Sequence, residues 1–296
     1  MQKLKFKFLN NSSKNPKRVI ILGTSGIISR NLQKKLKVKK ISFLKIGKKN
    51  IDLRKKKSIQ YMRNIIKDQD VIIFIAAEAP VKNQMMKKNN ILICRHVCEA
   101  ISKKDINNLI YVSSDAVYSD INKKIEETSP TRPTSLHGKM HLYREKILKS
   151  FFKNRLCIVR PTLVYGLGDT HNGYGPNRFV NLAIKKKEIY LFGKGEERRD
   201  HIYVEDLISI LFKCILMRAT GIINGVTGKV YSFLKIAQIT NEITNNKKTI
   251  FNLKRIGPMP HNGHRPFDNS LLKKKFKKIK ITKINKGIKD YISQIK

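Results

Sequence analysis

His137 and His141 stand four residues apart, so on a helix of about 3.6 residues per turn both imidazoles project from one face. An imidazole with its ordinary pKa near ~6.5 can, when neutral, take a proton from a hydroxyl. The same spacing suits a metal ion, but no carboxylate stands between the two rings and no third ligand is apparent, so no metal is expected. Upstream, Gly23-Thr24-Ser25-Gly26-Ile27-Ile28-Ser29 has the pacing G-x-x-G-x-x-S. Where such a turn joins a strand to a helix, the unpaired amides at the helix start favour negative charge and can cradle a pyrophosphate. The two glycines allow the tight turn and close approach, and Ser29 is small enough for helix–strand packing.

These residues need elements to hold them. Arg18–Leu22 reads as a short apolar strand ending at Gly23, and Gly26–Leu36 as a helix with Ile28, Leu32 and Leu36 four residues apart. Ile41–Ile46 reads as a second strand, Ser58–Ile66 as a helix and Asp70–Ala77 as a buried strand. Asn89–Ser102 reads as another helix and Asn108–Ser113 as another strand. Strand and helix alternate, which predicts an α/β fold: a Rossmann-type doubly wound parallel sheet with helices on both faces. From Gly166 onward Gly, Pro and Asn clusters loosen the pattern, as in a smaller C-terminal lobe. The expected organisation is a basic tail over 1–17, a dinucleotide-binding domain over 18–165, and a mainly substrate-binding lobe over 166–296 with some chain returning to the core.

The 296 residues are 41% hydrophobic, enough for a core, and no apolar run approaches the ~20 residues that span a bilayer. Cys94, Cys98, Cys157 and Cys214 are too few and too scattered for a disulfide framework, so a soluble, cytoplasmic protein without a membrane partner is expected. Lys and Arg number 63 against 21 Asp and Glu, a formal net charge of +42. Such a charge attracts polyanions, nucleic acid above all. The lysines are dispersed along the whole chain and not interleaved with aromatics, so a solvated basic surface is the preferred reading and nucleic acid the less favoured partner.

Further pieces fall in a specific order: Asp52-Leu53, Phe74-Ile75-Ala76-Ala77, Tyr111-Val112-Ser113-Ser114-Asp115-Ala116-Val117-Tyr118, Arg160-Pro161-Thr162-Leu163-Val164-Tyr165-Gly166, Gly193-Lys194-Gly195 and Arg199-Asp200-His201-Ile202-Tyr203-Val204-Glu205-Asp206. From about Arg18 to Tyr291 the chain resembles the extended short-chain dehydrogenase/reductase family, the nucleotide-sugar epimerases and dehydratases. The resemblance implies a Rossmann domain holding NAD or NADP and a lobe holding a nucleoside-diphosphate sugar. It places Gly23, Gly26 and Ile28 against the pyrophosphate, and Asp52, with Leu53 beside it, at the adenine. Ala76 and Ala77 would floor the nicotinamide ribose, and Pro161 would lie beside the nicotinamide. The acid expected after the second strand is missing from Phe43-Leu44-Lys45-Ile46-Gly47; Lys45, Lys48 and Lys49 there could accept a 2′-phosphate, so the choice between NAD and NADP stays open.

The resemblance breaks at the catalytic pair. Ser114 matches the family's Ser/Thr, but its Tyr-x-x-x-Lys aligns with His137-Gly138-Lys139-Met140-His141, so both catalytic positions are histidine. His137 would then exchange a proton with a substrate hydroxyl alongside Ser114, and His141 would bond the cofactor ribose. Asp115 matches an acid of the dehydratases, but Ala116 replaces their following Glu, which counts against dehydration. On the substrate side Arg199 and Arg265 match arginines that clasp the nucleotide diphosphate, suited by the planar guanidinium fork. Asn177 and Arg178 occupy the loop that packs on the nucleotide or sugar, while Asp200 and Asp206 fit a structural role. The expected activity is an NAD(P)-dependent epimerase, dehydratase or reductase acting on a nucleoside-diphosphate sugar, with a homodimer compatible with the family. Two alternatives stay open: a cofactor-binding pseudoenzyme, favoured by the lost Tyr and Lys, and an RNA-binding relative, favoured by the charge.

Overall fold

Continuous runs of Val, Ile, Leu and Phe suit strands buried on both faces, and such strands need helices packed above and below them. The computed structural model describes residues 5–295, and its elements follow that logic. In chain order they begin with β1 (Lys7–Phe8), β2 (Val19–Leu22), α1 (Ile27–Val38), β3 (Phe43–Ile46), α2 (Lys57–Ile65), β4 (Val71–Phe74) and α3 (Gln84–Ile101). Then come β5 (Asn108–Val112), α4 (Leu136–Phe152), β6 (Leu156–Pro161), β7 (Leu163–Tyr165), α5 (Pro176–Ile184), β8 (Ile189–Phe192) and β9 (Arg198–Tyr203). The remainder are α6 (Val204–Leu216), β10 (Ala219–Gly225), β11 (Val230–Ser232), α7 (Phe233–Thr244), β12 (Ile250–Leu253), β13 (His264–Arg265), α8 (Ser270–Lys275) and α9 (Ile284–Ser293).

The chain divides into two compact units. The first comprises Met1–Ser119, Glu127–Pro161 and Ile208–Gly225; the second comprises Asp120–Glu126, Thr162–Leu207 and Val226–Lys296. A seven-stranded sheet in the order β1-β10-β6-β5-β4-β2-β3 forms the first unit. All its pairings are parallel except β1 on β10. The order reverses at β2, which lies between β3 and β4. The crevice beyond the carboxyl ends of strands at such a reversal is where open α/β sheets bind ligands. The core beneath it is apolar: Ile20, Leu22, Ile72, Phe74, Leu109 and Tyr111 belong to one buried cluster with side chains of α2, α3 and α4.

The N-terminal stretch departs from its expectation as a basic tail. Phe6 is buried, β1 pairs with β10, and the amides of Leu9 and Asn10 donate to the Met217 carbonyl. The Phe6–Phe8 ring contact, the sheet edge and further hydrogen bonds from Asn10 and Lys14 to the Leu216 carbonyl dock a segment rich in lysine. Residues 1–4 of that stretch lie outside the described residues.

The second unit is built on β9, which pairs antiparallel with β11 and parallel with β13 and β7. A separate parallel pair joins β8 to β12. Asp200 and Asp206 act as clasps, in line with a structural role. Asp200 accepts from the Thr227 amide, the Thr227 hydroxyl and the Gly228 amide, and Asp206 accepts from the amide and hydroxyl of Thr282. All four cysteines are free and buried. Among the described residues no helix is long and apolar enough to cross a membrane.

Candidate active site

The turn after β2 is shaped by close backbone approach. Gly23 has φ +101°, and a Cβ there would lie 2.6 Å from the Ala76 amide nitrogen. Only glycine fits both the conformation and the contact. Ala76 in turn donates to the Leu22 carbonyl over 2.7 Å, so two segments distant in sequence, both expected at a cofactor, meet at one point. Ser29 bridges the turn by donating its hydroxyl to the Gly23 carbonyl (2.6 Å). Gly26 behaves in the opposite way: a Cβ there would meet nothing within 4 Å. Gly26 starts α1 without a side-chain cap, and the first turn carries no acid. An open surface over uncapped helix amides fits a dinucleotide pyrophosphate. Ile28 is half-buried in that first turn, as are Ala76 and Ala77 after β4, while Pro161 ends β6.

At Asp52, expected to meet the adenine, the carboxylate is already engaged by the protein. Asp52 is held by its neighbour Arg54, whose Nη2 donates to Oδ2 at 2.6 Å and whose Nε donates to both oxygens. That pairing holds the carboxyl down at about 2, against an opposing effect of burial. Arg54 also reaches Glu78 at 3.1 Å. Leu53 packs its side chain into the core, and its carbonyl accepts from His96 Nδ1. Lys45, Lys48 and Lys49 are exposed.

One glycine seats the helix that carries His137 on the turn that Ser114 caps. A Cβ on Gly138 would stand 2.0 Å from the Ala116 carbonyl oxygen and 2.7 Å from Pro133 Cβ. The start of α4 therefore rests directly on the 3₁₀ turn Asp115–Val117, whose N-cap is Ser114. Ser114 Oγ accepts from the Ala116 amide at 3.1 Å, and its partner Asp115 Oδ1 is 3.4 Å away. Ser135 caps α4 by accepting from the Gly138 amide, which puts half-buried His137 in the first helical turn. There the positive end of the helix dipole disfavours an imidazolium. Burial lowers the His137 pKa; Asp115 pulls it up and Arg144 presses it down, and the net direction is downward. The Val81 amide lies 3.5 Å from His137 Nδ1, too long a contact to fix the ring's tautomer.

His141, one turn on, is in a different state. It is buried, its ring centroid lies 4.6 Å from that of His137 in an edge-on arrangement, and Tyr111 Oη is 2.6 Å from its Nδ1. Burial drives its pKa well below the ordinary value, with His137 and Arg144 adding to the effect. Arg144, on the same helix, is wholly buried, lies over the rings of Phe74 (4.2 Å) and Tyr111 (5.0 Å), and donates from Nη2 to the Ala76 carbonyl at 2.9 Å. Behind them a buried network runs from Ser113 to Glu145, which receives both Nε and Nη2 of Arg160.

In the second unit Arg199 and Arg265 are register partners across β9 and β13, so both guanidinium groups leave one face of the sheet. Like charges placed opposite each other repel, and carboxylates offset them here. Arg199 pairs with Glu197 at 3.0 Å, rather than with the adjacent Asp200. Asp120 Oδ1 bridges Arg265 and His261. Burial opposes ionisation of Asp120, but His261 and Arg265 outweigh it and lower its pKa. A cavity of about 390 Å³ opens there, lined by Asp120, Lys123, His261, His264 and Arg265 among others. Asn177 is committed elsewhere: its Oδ1 accepts from the Gly166 amide and its amide group reaches the Val164 carbonyl. Arg178 is exposed on α5. Sequence reasoning missed Arg54, Tyr111, Asp120, Arg144, Glu197 and His261. Of these only Arg144 carried a signal, its place three residues beyond His141 on the same helical face. Among the described residues no group of three or more His, Cys, Asp or Glu is placed to hold a metal ion.

A sequence model of the NAD dependent epimerase/dehydratase family matches residues 19–226. A dTDP-D-glucose 4,6-dehydratase of Dictyostelium discoideum is 26% identical over 204 residues, covering 62% of this chain; the chain spans only 45% of that relative's length. The fold is shared with a UDP-glucose 4-epimerase of Thermotoga maritima solved with UDP-glucose, at a TM-score of 0.83, 18% identity and coverage of 94% of this chain and 98% of that one. A UDP-glucose 4-epimerase of Thermus thermophilus in complex with NAD superposes with a TM-score of 0.82 at 19% identity, covering 93% of this chain and 98% of that one.

Proposed function

Because the chain belongs to the NAD dependent epimerase/dehydratase family, we propose that it is an NAD(P)-dependent enzyme that epimerises or reduces a nucleoside-diphosphate sugar, with Ser114 and His137 handling the proton. The observation that carries this reading is the seating of α4 on the Asp115–Val117 turn through Gly138, which sets a serine hydroxyl and a neutral imidazole in one unit with an open dinucleotide cradle. Gly23, Gly26, Ile28, Ala76, Ala77, Pro161 and His141 would hold the dinucleotide, with Asp52 at the adenine. When bound, it supplies a hydride acceptor or donor. Ser114 Oγ–H orients a substrate hydroxyl, and His137, kept neutral by burial and by its place at the start of α4, takes that hydroxyl's proton on a ring nitrogen. Returning the same proton serves the reverse direction. Ala116, where the dehydratases have Glu, leaves the site without their second acid and favours epimerisation or reduction over loss of water.

Arg199 and Arg265 would receive the diphosphate, with Arg178 near the nucleotide or sugar. Their carboxylate partners Glu197 and Asp120 keep the guanidinium groups compensated in the absence of substrate. A second copy of the chain is the proposed partner for α3 and α4, whose exposed Leu92 and Tyr143 line a groove of about 460 Å³; light scattering of the purified protein tests it.

Mass spectrometry of small molecules retained by the purified protein, followed by turnover assays on a panel of nucleotide sugars, tests the main reading. Gly26→Val should abolish nicotinamide-nucleotide binding while the protein stays folded, since the new side chain meets open space rather than protein. Unchanged cofactor affinity in that variant would refute the cradle. Tight binding of the dinucleotide with no turnover on any sugar would make the chain a pseudoenzyme.

A further inference from the structure

The hydrogen bond between Tyr111 and His141 has one consistent direction. Tyr111 is fully buried and burial pushes its pKa up, so it stays a phenol whose proton needs an acceptor. His141 Nδ1 at 2.6 Å is that acceptor. A neutral imidazole that accepts at Nδ1 carries its proton on Nε2. His141 is therefore locked as an Nε2–H donor, in contrast to His137, whose 3.5 Å contact with Val81 locks nothing.

A cation nevertheless stands close by. Arg144 lies three residues beyond His141 on α4 with no exposed surface, its Nε has no hydrogen-bond partner among the described residues, and the faces of Phe74 and Tyr111 cover its guanidinium. A second full charge at position 141 would be buried beside it and strongly repelled. Position 141 and position 144 can thus hold one cation between them. Arg144 also bonds the Ala76 carbonyl, and Ala76 lies against Gly23, so α4 is tied to the turn that forms the cradle.

We propose that Arg144 is the positioning cation of this site, displaced by one helical turn from position 141, and that Tyr111 fixes His141 as a neutral Nε2–H donor to the ribose of the nicotinamide nucleotide. The proposal rests on the functional reading above for the identity of the ligand, but the state of His141 is a property of the chain alone. Arg144 acts through Ala76 and through its field, and touches no ligand itself.

Nitrogen-15 NMR of histidine-labelled protein at neutral pH reads the tautomer without any cofactor. The expected spectrum has neutral His141 protonated on Nε2, with the pattern collapsing to a tautomer mixture in Tyr111→Phe. An imidazolium, or a proton on Nδ1, in the wild-type protein overturns the proposal. A double-mutant cycle reads the displaced charge. His141→Lys, which restores the family's residue, should weaken NADH binding by about tenfold, and adding Arg144→Met should recover most of that loss. A His141→Lys variant that binds NADH as tightly as wild type overturns it as well. Should that variant fail to fold, the wild-type tautomer still decides. Wild-type protein that binds no nicotinamide nucleotide would sink the functional reading, whereas the NMR result alone judges the histidine.

Discussion

Two clusters, one in each unit, handle charge in opposite ways. In the first, the groups proposed to serve the proton transfer are neutral: His137 and His141 are pushed down by burial and by Arg144, and Tyr111 is pushed up by burial. In the second, Arg199, Arg265, Glu197 and Asp120 are charged groups matched against each other. On the proposed function, the contrast would follow from the tasks. Moving a proton at neutral pH needs a base with a vacant lone pair, which burial supplies. Holding a diphosphate, as proposed for Arg199 and Arg265, would need permanent positive charge, and two buried guanidinium groups in register need carboxylates to offset them. The histidine pair and its tyrosine carry no charge, while the arginine pair is matched by carboxylates.

The strongest way to break this contrast is His137→Ala. Turnover should fall by ~10²–10⁴-fold, the usual worth of a positioned base, while cofactor binding survives. Ser114→Ala should impair turnover in the same sense, since both groups address one hydroxyl. Wild-type rates in His137→Ala, measured at saturating nucleotide sugar, would remove the neutral-base half of the comparison.

Next in size come the charges of the second unit. Arg199→Ala or Arg265→Ala should each weaken nucleotide-sugar binding by ~1.5–3 kcal/mol, the scale of a charge-assisted hydrogen bond, and leave NADH affinity alone. Calorimetric titration of each ligand separates the two effects, and equal losses for both ligands would contradict the division of labour.

Asp120→Asn should act in the reverse direction. Removing a partly exposed carboxylate that competes for Arg265 should tighten nucleotide-sugar binding, by no more than ~1 kcal/mol because such pairs are screened by solvent. Weaker binding in this variant would mean that Asp120 orients Arg265 for the ligand rather than competing with it.

The smallest effect is the pH profile. If His137 is the base it acts when neutral, and its pKa is lowered, so activity should rise with pH through an inflection below the ordinary histidine value of ~6.5. An inflection at or above that value would show an imidazole in water rather than a buried one, and a profile governed by a far higher pKa would indicate a different base.

What the sequence could express was local. β2, α1, β4 and β5 lie within a few residues of their expected positions because apolar runs and four-residue spacing are properties of neighbouring residues. The turn at Gly23 and Gly26 was legible for the same reason, as was the shared face of His137 and His141. Composition misled at the N-terminus, where Phe6 docks a lysine-rich segment onto a sheet edge. Protonation and pairing were set by partners far along the chain. Tyr111 lies 30 positions from His141, and Asp120 lies 145 from Arg265. Arg199 meets Arg265 only because β13 happens to pair with β9. The sequence alone thus determined the family, the doubly wound sheet and the positions where chemistry could occur. Tertiary structure decided the protonation of the two histidines and the partners of the two arginines, because burial and a distant hydrogen-bond partner act in ways that no local pattern encodes.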